Sequence, residues 1–266
     1  MNSQTVDVPQ DVLRLENIHK SFGGVVAIED FSLDLKAGEI VALVGDNGAG
    51  KSTLIKIISG VYTPTTGTIS FDGDEVNFKD ATQARASGIE VVYQDLALAD
   101  EQAVYMNMFL GREQTRGPLF QLDRKKMIAE TEQLVEDLDV RIPSARTTIR
   151  NLSGGQRQRA QIAMIFAQDT TYMLLDEPLN NLDLSGTQTL MRILRSLSDD
   201  HGKIIVIVVH DINIASRYAD RIIAMKDGQI ARQGSPIEVI DEALIRDVFQ
   251  TDAELLDMHG SPIVLC

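Results

Sequence analysis

Residues 39–59 have the sequence EIVALVGDNGAGKSTLIKIIS, in which an apolar run leads into a glycine-rich loop and then into a helical pattern. The spacing Gly45-x-x-x-x-Gly50-Lys51-Ser52, after a strand and before a helix, is what a phosphate-binding loop requires. The glycines let backbone N–H groups wrap phosphates, and the helix N-terminus adds positive potential. A structural glycine turn is the alternative, and the dinucleotide fingerprint does not fit, since it needs a glycine two positions after the first.

The residues of this loop have separate expected roles. Lys51 should reach the β- and γ-phosphates, Ser52 should ligate Mg²⁺, and Thr53 should support the α-phosphate. The predicted nucleotide contacts of the loop are Gly45, Asn47, Gly48, Ala49, Gly50, Lys51, Ser52 and Thr53.

Four apolar runs without period-two alternation predict buried parallel strands, at residues 39–44, 89–93, 171–175 and 203–209. Helical patterns separate them, including residues 51–59, 155–167 and 185–197, so the sequence predicts an α/β sheet. Ligands collect at the carboxyl ends of such strands. The four runs are followed by the phosphate loop, Gln94, Asp176-Glu177 and His210. We expect these groups to converge on a phosphate and its metal.

The polar groups after these strands have different candidate tasks. Asp176 suits Mg²⁺ and Glu177 suits the general base that polarises an attacking water, although an acidic pair often only ends a strand. Gln94 is a candidate metal and water contact, or a solvated loop amide. His210 could bind a γ-phosphate or hold the water, or it could be a satisfied core histidine.

A second phosphate-facing segment follows at Leu152-Ser153-Gly154-Gly155-Gln156. Ser-x-x-Gln is a capping box, which is the structural interpretation. Two glycines in a first helical turn are costly, however, unless something must approach the backbone closely. An anion is the natural candidate, and we therefore predict that Ser153, Gly154, Gly155 and Gln156 contact nucleotide.

Composition limits the partners. The chain has 266 residues, 39 acidic and 25 basic, and a net charge of −14, which disfavours generic nucleic-acid binding. The basic group Arg124-Lys125-Lys126 fits a solvated helix face. No segment approaches the roughly 20 apolar residues of a membrane-spanning helix. The sole cysteine is Cys266, and residues 1–10 do not resemble a secretory signal, as expected in a reducing compartment.

These motifs, in this order, resemble the nucleotide-binding subunit of the ATP-binding cassette (ABC) family over essentially the whole chain. The resemblance implies a P-loop NTPase (RecA-like) α/β core with an antiparallel β subdomain and a helical insertion. It implies a head-to-tail dimer with each ATP between one phosphate loop and the partner's Ser153–Gln156 segment. Asp183 should communicate across that interface, and the loop at Gln94 should meet a membrane subunit. Phe22 could be core or, as the family match favours, a platform for adenine.

We divide the chain into four predicted parts. Residues 1–95 form the first part of the nucleotide-binding core, with the phosphate loop and antiparallel strands. Residues 96–151 form the helical subdomain, with helices at 102–110 and 124–138. Residues 152–235 complete the core, and residues 236–266 add two short helices and a strand pair around Gly260.

The subfamily resemblance is mixed. Up to about residue 158 the chain is similar to simple-sugar importer ATPases, through VGDNGAGKSTLIKIISG, GIEVVYQDLALAD, FLGRE and LDRKKM. Beyond it, the chain is similar to ferric-siderophore importer ATPases, through RAQIAMIFAQDT, LLDEPLNNLD and HDINIASRYADRIIAMKDG. The changeover falls at the shared LSGGQRQ, and we interpret it as recombination, natural or engineered.

The resulting prediction is an ATPase that dimerises on Mg-ATP and powers an importer, with ATP and Mg²⁺ as cofactors. A simple sugar is the favoured cargo and a ferric siderophore the alternative. The expected partners are a second copy and integral membrane permease subunits, without nucleic acid. The chain would be cytoplasmic and peripheral on the cytoplasmic face of the inner membrane. A cassette ATPase of DNA repair or translation is the rival, and a non-catalytic regulator is disfavoured by intact Lys51, Asp176 and Glu177.

Overall fold

The strand that precedes the glycine loop lies inside a six-stranded sheet in the computed structural model, which describes residues 13–92, 98–137, 142–167, 170–180, 182–258 and 260–265. The strands in chain order are β1 Leu13–Phe22, β2 Val25–Leu35, β3 Ile40–Val44, β4 Thr66–Phe71, β5 Asp74–Val76, β6 Ile89–Val92, β7 Thr115–Arg116, β8 Gln121–Leu122, β9 Tyr172–Asp176, β10 Ile204–Val208, β11 Arg221–Lys226, β12 Gln229–Gly234, β13 Glu254–Met258 and β14 Ser261–Leu265. The helices are α1 Lys51–Ile58, α2 Ala81–Ala86, α3 Val104–Met108, α4 Arg124–Asp137, α5 Gly154–Phe166, α6 Leu184–His201, α7 Ile212–Tyr218, α8 Pro236–Val239 and α9 Glu242–Val248, with a 3-10 turn at Ile149–Asn151.

The large sheet has the order β12-β11-β3-β10-β9-β6, and its inner pairs are parallel. Every residue of β3, β9 and β10 is buried. This burial on both faces explains the continuous apolar runs, because neither face meets water. The α/β prediction and the four predicted strands are confirmed within the described residues, while Tyr93, the predicted end of one strand, lies outside them.

A second, antiparallel sheet has the order β2-β1-β4-β5. Asp72 and Gly73, both at positive φ, make the tight turn between β4 and β5. The turn at Asp227 and Gly228 likewise joins β11 to β12. One apolar cluster links this sheet to β3, β9, β10 and α1, with Phe31 and Tyr172 among its largest members.

The contacts divide the chain into two compact units. Among the described residues, the first unit lies within residues 1–94, 170–180 and 191–266, and the second lies within residues 95–169 and 181–190. In the second unit α3 and α5 share a core that includes Val104, Met108, Ala160 and Ala163. This packing groups α5 with the preceding helices, which differs from the predicted boundary between residues 151 and 152. The four-part division stays a prediction.

Two features complete the units. The region predicted as a helical subdomain also contains the two-residue strands β7 and β8, which form a small hairpin. In the first unit the predicted C-terminal strand pair is present as β13 and β14. Asn213 of α7 holds β14, since its side chain exchanges hydrogen bonds of 3.0 and 2.7 Å with the Val264 backbone. None of the helices in the described ranges is long and apolar enough to cross a membrane.

Candidate functional site

The loop between β3 and α1 needs glycine at two positions because the backbone is tightly enclosed. Gly45 has φ 141°, and a Cβ there would lie 2.2 Å from the carbonyl oxygen of Met225. Gly50 has φ 100°, and a Cβ would lie 2.5 Å from the carbonyl oxygen of Ala27. Any other residue at either position would force the neighbouring strands apart. Gly48, at φ 86°, has open space beside it.

The helix that follows presents an N-terminus suited to an anion. Its N-cap is Gly50, which makes no side-chain capping hydrogen bond. The first N–H groups of a helix have no intrahelical partner, and they carry the positive end of the helix dipole. Ser52 and Thr53 of this turn are partly exposed, and Asn47 in the loop is exposed. Ala49 is buried, and its N–H closes the loop on the Asp46 carbonyl at 3.1 Å.

Lys51 is the first residue of α1, and its side chain is folded back over the loop backbone. Its Nζ donates to the carbonyl oxygens of Gly45 at 2.7 Å and Asp46 at 2.8 Å, and the residue is 5% exposed. Burial lowers the pKa of Lys51, while Glu177, Asp46 and Asp176 oppose that change. A buried ammonium group beside a helix N-terminus is suited to binding an anionic ligand.

Asp176 at the end of β9 meets Ser52 at the start of α1. The Ser52 hydroxyl donates to Asp176 Oδ1 at 3.1 Å, and Asp176 is 4% exposed. Burial raises the pKa of Asp176, and the Ser52 hydrogen bond partly offsets this. A hydroxyl beside a carboxylate fits the oxygen ligands that Mg²⁺ takes in nucleotide sites, where phosphates and waters complete the shell. The described residues contain no cluster of three or more His, Cys, Asp or Glu for a metal. Gln94, the third predicted ligand, lies outside them.

Glu177 is held through both carboxylate oxygens. His210 Nε2 lies 2.8 Å from Oε1, and Asn180 Nδ2 donates to Oε2 at 2.7 Å. Glu177 has φ 53°, a left-handed conformation that costs of order 1–3 kcal/mol in a non-glycine residue and is found mainly at functional sites. His210 is exposed, which contradicts the core-histidine alternative. Asn180 was not predicted from the sequence, since no motif marks an amide three positions after a carboxylate.

Phe22 at the end of β1 is 43% exposed, so it is not a core residue. Its ring packs edge-to-face with Tyr62 at 5.1 Å, and the Lys20 ammonium lies 5.0 Å from its centroid. An exposed aromatic ring of this kind is available for stacking.

The second unit contains the Ser153–Gln156 segment at the start of α5. Ser153 Oγ accepts from the Gln156 N–H at 3.3 Å and Gln156 Oε1 accepts from the Ser153 N–H at 3.0 Å, so the capping box exists. It does not explain the glycines, because a Cβ at Gly154 or Gly155 would meet no atom within 4 Å. Internal packing leaves both positions open to an external ligand. Asp183, also in this unit, accepts from the Gly186 N–H at 2.6 Å before α6.

Comparisons with known proteins agree with this geometry. The family model described as ABC transporter matches residues 28–180. The xylose/arabinose import ATP-binding protein XylG of Sulfolobus acidocaldarius is 40% identical over 238 residues, covering 88% of this chain and 94% of that protein. The petrobactin import ATP-binding protein YclP of Bacillus subtilis is 36% identical over 240 residues, covering 90% and 92%. A dimeric ATP-binding cassette with bound ADP and Pi has a TM-score of 0.71 at 29% identity, covering 84% of this chain and 98% of that one.

Proposed function

The chain belongs to the ABC transporter family and is an ATPase with a P-loop core, and from this premise we propose that it is the energy-supplying subunit of an importer. One observation carries the proposal: the phosphate loop, the Ser52–Asp176 pair and the Glu177–His210 pair come together in a single unit. These are the groups needed to hold a triphosphate, its metal and an attacking water.

Hydrolysis follows from these positions. Lys51 and the α1 N-terminus hold the phosphates, and Ser52 and Asp176 would hold Mg²⁺, which neutralises developing charge on the phosphoryl oxygens when bound. Glu177 accepts a proton from water as the water oxygen attacks the γ-phosphorus and the bond to the ADP oxygen breaks. His210 and Asn180 orient the Glu177 carboxylate by their hydrogen bonds. The products are ADP and phosphate.

The nucleotide is proposed to lie between two copies of the chain, each completing the other's site. The open positions beside Gly154 and Gly155 support this arrangement, because nothing within the chain requires glycine there. The dimeric cassettes among the similar solved structures support it as well. The remaining predicted roles are part of the proposal. Asp183 acts at the interface between the two copies, Phe22 stacks on the adenine, and Gln94 contacts the metal.

Glu177→Gln tests the catalytic assignment. An amide keeps the hydrogen-bonding shape but cannot take the proton, so ATP hydrolysis should fall about 10²- to 10⁴-fold while ATP still binds. Phosphate release and equilibrium binding of labelled ATP measure the two effects. Lys51→Ala is the matched variant, since it should lose ATP binding itself. Hydrolysis at the wild-type rate by the Glu177→Gln chain would refute the general-base role.

We propose a simple sugar as the cargo, because XylG, a xylose/arabinose import protein by name, matches nearly end to end at 40% identity. A ferric siderophore is the second candidate, because the petrobactin import protein YclP matches over a similar length at 36% identity. Relatives of both kinds occur, and the recombination hypothesis stays a prediction.

Importer function also implies permease subunits and a peripheral position on the cytoplasmic face of the cell membrane. Co-purification of the chain with a sugar-type permease and with a siderophore-type permease tests the cargo. Retention by the sugar-type permease alone, with ATPase stimulation, is expected. Retention by the siderophore-type permease alone would reverse the assignment, and retention by neither would refute the importer proposal.

A further inference from the structure

The β7–β8 hairpin exposes two large apolar side chains at its tip. Leu119 is 77% exposed and Phe120 is 79% exposed. Phe120 also has φ 50°, the left-handed region that bulky side chains avoid, and its N–H closes the turn on the Gly117 carbonyl at 3.3 Å. An asparagine or glycine would make this turn at lower cost. Neither turn geometry nor core packing therefore explains these two residues.

The same segment is basic within an acidic protein. Residues 112–126 contain five basic and two acidic residues, a net charge of +3, while the whole chain has −14. Lys126 forms an ion pair with Glu130, with 3.7 Å between Nζ and Oε1. In the part of the chain that the structure describes, Arg116, Arg124 and Lys125 are exposed and form no ion pair with a carboxylate.

Helix stability does not explain the cations either. Arg124, Lys125 and Lys126 occupy the first turn of α4, which has no acidic residue, and Asp123 directly before it caps the helix by accepting from the Lys126 N–H at 3.2 Å. Cations at a helix N-terminus oppose the helix dipole, and these three outnumber the single Asp123 carboxylate, so the Asp123 cap offsets only part of their unfavourable effect. The exposed apolar tip, the left-handed Phe120 and the basic first turn all weaken the isolated chain. An external surface that is both apolar and anionic would offset all three.

We propose that residues 112–126, the basic hairpin surface, bind an anionic lipid bilayer directly. Leu119 and Phe120 enter the headgroup region, and Arg116, Arg124 and Lys125 contact lipid phosphates. The remote acidic residues do not prevent this contact, because charges are screened beyond about 8 Å at physiological ionic strength. A convex apolar tip flanked by dispersed cations suits a soft bilayer, whereas a protein partner would need a matching acidic pocket. The contact is separate from any permease contact.

The test uses the full chain and protein-free vesicles. We expect the chain to sediment with phosphatidylcholine vesicles that contain phosphatidylglycerol, to sediment much less with pure phosphatidylcholine, and to be released by high salt. Arg124→Ala with Lys125→Ala should weaken binding about 25-fold, because each basic residue near an anionic surface strengthens binding about fivefold. Leu119→Ser with Phe120→Ser should weaken it at least about tenfold.

Matched variants outside the hairpin control for general effects. Lys36→Ala with Lys79→Ala removes two exposed cations elsewhere, and Leu256→Ser with Met258→Ser removes two exposed apolar side chains, so both pairs should bind vesicles like the wild type. Unchanged ATPase rates in solution and thermal midpoints would show that the hairpin variants fold. The proposal is overturned if anionic vesicles do not bind the chain, if the hairpin and control pairs weaken binding equally, or if the hairpin variants lose only permease association.

Discussion

The burial of Asp176 and the negative charge proposed for its carboxylate have opposite effects on the stability of the fold. Its carboxylate is buried beside Ser52, and burial raises its pKa above the ordinary 3.8. The folded chain therefore holds this proton more tightly than the unfolded chain. The free energy of unfolding must then fall as pH rises from 3.8 through the raised pKa. The negative charge that the proposed nucleotide chemistry requires of Asp176 is thus a cost to the stability of the fold at neutral pH.

Asp176→Asn should remove that cost and abolish hydrolysis. The nucleotide-free variant should melt at a higher temperature than the wild type at pH 7, and the difference should shrink as pH approaches 3.8. Asp241→Asn is a control of opposite sign, since a hydrogen bond from Arg232 holds the pKa of Asp241 below its usual range. That variant should melt lower at pH 7. Thermal melts across this pH range measure both, and an Asp176→Asn effect that does not depend on pH would contradict the assignment.

At the scale of elements, α1 and α5 begin in different ways. The α1 N-cap is a glycine without a side-chain cap, in a loop where a Cβ would strike the backbone. The α5 N-terminus is capped by Ser153 and Gln156, and its two glycines stand in open space. Packing within the chain requires glycine at the N-terminus of α1, but it does not require glycine at the N-terminus of α5.

Gly154→Ala separates stability from function in α5. Alanine has the higher helix propensity, so the variant should be stabilised by up to about 1 kcal/mol in chemical denaturation. The added methyl should block close approach of a partner's triphosphate and lower ATPase activity at least about tenfold. Steady-state hydrolysis and denaturant midpoints give the two readouts. Wild-type hydrolysis by this variant would exclude a nucleotide contact at Gly154.

At the scale of the whole molecule, the phosphate loop and the Ser153–Gln156 segment belong to different compact units. If a complete site needs both from two copies, two inactive chains should complement each other. A Lys51→Ala chain retains the α5 glycines, and a Gly154→Asp chain retains the phosphate loop. A mixed dimer then contains one complete site.

The mixture should recover roughly one quarter of wild-type ATPase activity, because half of randomly formed twofold dimers would contain one complete site out of two. Each variant alone should stay inactive, and titrating one chain against the other should give a maximum near equal amounts. Activity that never exceeds the separate backgrounds would argue against a shared site.

The local elements and the residue types of the site were predictable from this sequence, since both depend on short-range patterns. Residues 39–59 contain strand, turn and helix signals in one continuous stretch. Two continuous apolar runs predicted the strands that the structure has as β9 and β10. The sequence predicted that Ser52 and Asp176 converge, but their direct hydrogen bond is seen only in the fold. The same is true of the contacts that Asn180 and His210 make with Glu177, and of the hydrogen bonds from Lys51 to its own loop. These contacts depend on which strands become neighbours and on the left-handed backbone of Glu177, and neither is encoded in the spacing of any motif.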